Sequence, residues 1–181
     1  TTDPQIYHPH ITPAEAEPFA RTFLINSTLI LVPNMMTIIL DENYGYVLLA
    51  ATSTCLLNTV HTLNTGHFRR AAGVEYPAAY APPTRTDKLA LRFNSAQRAH
   101  ATYTENHPSM VVALLISGLR FPLTAAALGL GWTLSRWMYM SGYSRGDEAG
   151  KGRYRGIQFF LFQFALMGMA GYVSLALTMG W

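Results

Sequence analysis

Ile157 to Met179, IQFFLFQFALMGMAGYVSLALTM, is a run of 23 residues without a single charge. A helix needs about 20 mostly apolar residues to cross a hydrocarbon core ~30 Å thick, because each residue rises ~1.5 Å. Two further stretches reach that length. Tyr44 to Leu63, YGYVLLAATSTCLLNTVHTL, carries Asn58 and His61, and Phe121 to Met140, FPLTAAALGLGWTLSRWMYM, carries Arg136 near its end. A fourth, Pro108 to Leu119, is apolar but short, and spans only if its helix begins upstream near Ala96, within AQRAHATYTENH. Polar groups at membrane depth are costly and usually face a bundle interior or a wet cavity. This helix therefore reads as half lipid-spanning and half site-forming. The expected fold is an all-α integral membrane protein, a four-helix transmembrane bundle with an extra apolar N-terminal segment.

Composition agrees. Charged residues are 13% of the 181, about half the roughly 25% usual in soluble domains. The formal charge of +3 is too small to argue for nucleic acid, and the basic residues lie between apolar runs. Arg69, Arg70, Arg85, Lys88, Arg92 and Arg98 fall in or beside the first loop, and Arg145, Lys151, Arg153 and Arg155 in the third. The second connection carries Arg120 alone. By the positive-inside rule, loops one and three are cytosolic. The one cysteine, Cys55, sits in an apolar run, which excludes an internal disulfide framework and a Cys-rich metal site; no metal is expected.

Residues 1–36 read as a separate N-terminal extension and 37–181 as the transmembrane domain. The opening TTDPQIYHPHITPAEAEP has acids and prolines and no basic n-region, so neither a secretory signal nor a transit peptide is expected there. Phe23 to Leu40 is apolar but interrupted by Pro33-Asn34; it reads as interfacial, with a re-entrant segment, a fifth span or an upstream extension as alternatives. Small residues at Ala125 and Gly129, Ala127 and Gly131, and Gly168, Ala170 and Gly171 permit close helix contacts, within or between subunits.

Arg98, Thr102 and Glu105 fall at i, i+4 and i+7, on one helical face. Alone, they read equally as a structural ion pair. Arg136, Tyr139 and Tyr143 follow i, i+3, i+7, which is also how an interfacial aromatic belt looks. Arg69-Arg70 alone would serve as a stop-transfer pair. Together, three helices bring polar side chains to one membrane level, and the third loop adds Arg153 and Arg155. Several guanidinium forks, a carboxylate and two phenols suit a ligand with more than one carboxylate, a cationic amine and a group needing electrostatic activation. Glutathione has that chemistry.

Several stretches also carry a resemblance: ENYGYVLL at 42–49, RRAAGVEYP at 69–77, FNSAQRAHATYTENHPS at 93–109, LRFPLTAAALGLGW at 119–132 and SRWMYMSGYSRGD at 135–147. From Glu42 to Trp181 the chain resembles the MAPEG family, membrane-associated proteins of eicosanoid and glutathione metabolism, and within it the type-3 microsomal glutathione S-transferase branch. The resemblance implies a homotrimer in the endoplasmic reticulum or mitochondrial outer membrane, with glutathione held between subunits near the cytosolic face. Arg69 and Arg70 match its basic pair after helix one, Arg98 and Glu105 its glutathione-holding positions, and Tyr139 and Tyr143 its two tyrosines. Arg136 is counted with the glutathione contacts. Thr102 stands where related members commonly place Asn. The loop GDEAGKGRYRG, 146–156, is longer than in close relatives, so the catalytic arginine maps to Arg153 or Arg155, and the Arg155-Gly156 pairing favours Arg155.

Such a site activates glutathione rather than supplying a nucleophile. A thiol with a pKa near ~8.5 is mostly protonated at neutral pH, and the thiolate is the reactive form. Lowering that value by about two units takes roughly 2.7 kcal/mol of preferential thiolate stabilisation, within reach of one close guanidinium in a partly desolvated site. The expected second substrate is a lipophilic electrophile or lipid hydroperoxide concentrated by the membrane lipid. The rival readings are a non-catalytic lipid-binding member of the family and an accessory subunit of a larger membrane complex. A transporter is disfavoured, because the chain has no internal repeat and no pair of broken helices.

Overall fold

The computed structural model describes residues 22–25, 28–31, 40–145 and 148–180. They belong to two compact units, residues 1–39 and 40–181. In the first, β1 (Thr22–Ile25) pairs antiparallel with β2 (Thr28–Leu31), Thr22 opposite Leu31. The first part of Phe23–Leu40 is thus a strand pair, in keeping with its β-branched content, and not a fifth helical span. Residues 32–39 lie outside the described residues.

The second unit is helical. α1 (Tyr44–Ala72) has 29 residues, about 43 Å at 1.5 Å per residue. Left-handed Gly73 (φ 61°) ends it, with its N–H on Arg70 O and the Val74 N–H on Arg69 O, a Schellman closure. Arg69 and Arg70 therefore lie on the last turn of α1, not after it. α2 (Lys88–Gly118) begins eight residues before the expected Ala96, because the Asp87 carboxylate caps it by accepting from Ala90 N at 3.0 Å. Its buried Ala90, Phe93, Ala96, Ala99 and Tyr103 recur at helical spacing. α3 (Pro122–Tyr143) starts with proline in its first turn, a 3-10 segment covers Glu148–Gly156, and α4 is Phe159–Met179.

Among the described residues, α1 and α4 are long and apolar enough to cross a membrane by length and composition; α2 and α3 carry the polar positions. α2 and α3 each pack on every other helix of the bundle, while α1 and α4 pack on them. Gly129 is in that contact: a Cβ there would stand 3.0 Å from a Leu114 methyl and 3.3 Å from Ala50 Cβ. Ala125 is also buried inside the subunit, whereas Gly168 and Gly171 face open space.

The connection between α1 and α2 is fastened by side chains. Arg69 donates to Ala78 O at 2.6 Å and stacks over Tyr76 and Phe93, Arg85 donates to Ala72 O at 2.7 Å, and Asn94 accepts from Ala81 N at 2.8 Å. Ala72, Val74, Ala81, Ala90 and Phe93 form a small core beneath it.

Candidate functional site

Helix α2 contributes an exposed ion pair. Arg98 Nη1 is 3.1 Å from Glu105 Oε1, and both side chains are about half exposed. Two turns of one helix thus present a guanidinium and a carboxylate side by side, ready to receive a ligand bearing both charges. Between them Thr102 donates to Arg98 O at 2.8 Å, so its hydroxyl is satisfied by its own helix.

Tyr139 and Tyr143 meet edge to face, with ring centroids 5.6 Å apart. Arg153 of the 3-10 segment stands beside them. It donates to the Tyr154 hydroxyl at 3.1 Å, and its Nη1 and the Tyr143 ring both flank Gly150. The Tyr154 contact first, then Tyr143, keeps the Arg153 guanidinium protonated even more firmly than usual. Two glycines seat this segment on α3. Gly152 O lies against Gly142, and Gly156 lies against Ser135 and Tyr139, with no room for a Cβ at 142 or 156. Arg155 lays its stem along Gly142 and is exposed. The end of α3 is held to the other helices by Asn64 to Ser144 (2.9 Å) and Arg92 to Arg145 O (3.1 Å).

Two expected contacts are placed differently. Arg136 has no exposed surface. Its guanidinium carbon lies 4.2 Å from the Phe159 ring centroid and 4.9 Å from that of Tyr139, with Tyr103 and Trp132 also beside it. Such an aromatic enclosure offsets part of the cost of burying the charge, and it keeps Arg136 from meeting a surface ligand. Arg69 is 9% exposed and committed to the α1–α2 connection, whereas Arg70 is exposed. Arg98, Thr102 and Glu105 are grouped on α2, whose Tyr103 shares the buried Arg136 guanidinium with Tyr139. Tyr139, Tyr143 and Arg153 are grouped at the end of α3. Among the described residues, no hydrogen bond, ion pair or ring contact joins Arg69 to either group; its partners are Ala78 O, Tyr76 and Phe93.

A sequence model of the MAPEG family matches residues 47–175. The chain belongs to the MAPEG family. An all-helical membrane fold is what that family has, and membership fits membrane glutathione transferases, peroxidases and related roles in lipid metabolism. In this MAPEG protein, an apolar groove of about 430 Å³ opens between α2 and α4, lined by Pro108, Ser109, Val112, Ile116, Met167 and Ala170. Near it lies Gln163, buried on α4 and bonded to Asn106, Ser109 and Trp132. Sequence reasoning passed over Gln163, although a glutamine inside an uncharged apolar run, the second after Gln158, was the signal. Among the described residues no group of three His, Cys, Asp or Glu is placed to hold a metal ion.

Proposed function

We propose that this MAPEG protein is a glutathione transferase with peroxidase capacity, of the type-3 microsomal kind. It would act as a homotrimer in the endoplasmic reticulum or mitochondrial outer membrane, with loops one and three cytosolic. The observation that carries the reading is the half-exposed Arg98–Glu105 pair on α2, together with Tyr139, Tyr143 and Arg153 gathered at the end of α3. Glu105 would take the glutathione amine and Arg98 a carboxylate, each exchanging its present partner for a group of the same charge sign. Thr102 offers little more, since its hydroxyl is already donated to its own helix.

Arg153 would stabilise the thiolate, because its hydrogen bond to the Tyr154 phenol holds it on the Tyr143 side of the segment; Arg155, exposed at the rim, is the second candidate. The thiolate attacks an electrophilic carbon to form a thioether, and the leaving group departs or the adduct is protonated. With a lipid hydroperoxide, the thiolate takes the distal oxygen and releases an alcohol. A second glutathione then gives the disulfide and water.

Arg70, exposed on the last turn of α1, would complete a neighbour's site. Mixed trimers of subunits disabled at Arg70 and at Arg153, each inactive alone, should regain activity at mixed interfaces. Titration calorimetry of glutathione into the detergent-solubilised protein tests the whole reading, and no binding sinks it. The apolar groove favours one second reading, lipid binding without glutathione chemistry, and that titration separates the two.

A further inference from the structure

Helix α2 has a weak point where the proposed site needs precision. Pro108 lies inside it and has no N–H, so the Thr104 carbonyl loses its ladder partner and the turn carrying Glu105 has one backbone hydrogen bond fewer. Gln163 bridges that turn from α4. Its amide nitrogen is 3.3 Å from Asn106 Oδ1 and 3.3 Å from Ser109 Oγ, one on each side of Pro108. Its amide oxygen accepts from Trp132 Nε1 of α3 at 3.3 Å. The bridge continues into α2: Asn106 donates to Thr102 O at 2.8 Å, and Ser109 donates to Asn106 O at 3.0 Å. Gln163 is 5% exposed, while the other buried residues of α4 are Phe159, Leu166, Ala170, Val173 and Ala176.

A polar side chain in an apolar spanning helix is costly unless its groups are met. Here both amide hydrogens have acceptors, and both acceptors are on α2 around the proline. Simple fastening of α3 to α4 would need only the Trp132 contact.

We propose that Gln163 is a positioning residue for the glutathione site, bracing the α2 turn across Pro108 so that Glu105 is presented in one orientation. The role rests on the glutathione reading. Gln163 would touch no ligand and would act through Glu105 alone.

The test uses the full-length protein in detergent, with two measurements on a Gln163→Leu variant: glutathione titration and amide hydrogen exchange. Exchange should accelerate at residues 102–110 of α2 and not in α1. The glutathione Kd should rise about 3- to 10-fold, as for one lost hydrogen-bonded contact. In a Glu105→Gln background, Gln163→Leu should add nothing further, since the positioned group is gone. Trp132→Phe, which removes only the donor to Gln163, should shift exchange and Kd the same way by less, and serves if the leucine variant fails to fold. Equal loss in both backgrounds, or unchanged exchange at 102–110, overturns the role. Wild-type protein that binds no glutathione overturns the parent reading, and the positioning role falls with it even if exchange responds.

Discussion

Gly156 and Tyr139 meet backbone to backbone: a Cβ on Gly156 would fall against the amide nitrogen and Cα of Tyr139. Gly156→Ala must therefore push the 3-10 segment off α3 and carry Arg153 away from Tyr143. Overpacking of this kind costs about 1 to 3 kcal/mol. The variant should melt earlier in detergent and conjugate more slowly. Gly66, also helical but with open space around its Cβ position, is the control: Gly66→Ala should be neutral or slightly stabilising.

Arg153→Ala should lower conjugation turnover by roughly a hundredfold, the scale of losing one aligned charge-stabilising donor, while glutathione still binds. Arg155→Ala should cost much less, because that side chain is exposed at the rim. Turnover and calorimetry on both variants decide the matter, and the reverse order of effects would move the thiolate-stabilising role to Arg155.

Adjacent Arg69 and Arg70 should behave oppositely. Arg69→Ala loses a charged hydrogen bond to Ala78 O and two ring contacts, and should destabilise the protein by about 2 to 3 kcal/mol. Arg70→Ala should leave the melting temperature unchanged and weaken glutathione binding. Loss of affinity in Arg69→Ala without loss of stability would return Arg69 to the ligand site.

Asp87 gives the protein an acid-side dependence. The hydrogen bond from Arg85 first, then that from Ala90 N, holds its carboxyl below the ordinary aspartate range. Its folded pKa is lower than its unfolded one, so its contribution is present above about 3.9. It fades as pH falls from there through the folded value. Asp87→Asn should melt with a flatter pH profile in that window, which differential scanning at several pH values would read.

Much of the bundle was legible because lipid imposes a length and composition test. Tyr44 and Met179 stand at helix ends where the apolar runs place them. The start of α2 was not legible, since its first turns are polar and packed on a protein loop, and only the Asp87 cap marks them. The Arg98–Glu105 pairing followed from helical spacing. The fates of Arg69 and Arg136 did not: i, i+3 and i+7 spacing says which residues share a face, not which faces other helices will cover. Arg136 vanishes beneath Phe159 and Trp132, contributed by α4 and by its own helix. The reach of Gln163 depends on how α3 and α4 approach Pro108, and no local pattern encodes that.

The 43 Å of α1 exceed a ~30 Å hydrocarbon layer by about 13 Å. If its apolar start lies at one boundary, that surplus lifts Arg70 clear of the oil at the other. A charged tripeptide can then dock without shedding its hydration to the bilayer, and an apolar reactant can approach from below without being dissolved in water. Under the proposed activity, the protein works as a phase-transfer catalyst, and helix length sets the height at which the two solvents exchange their solutes.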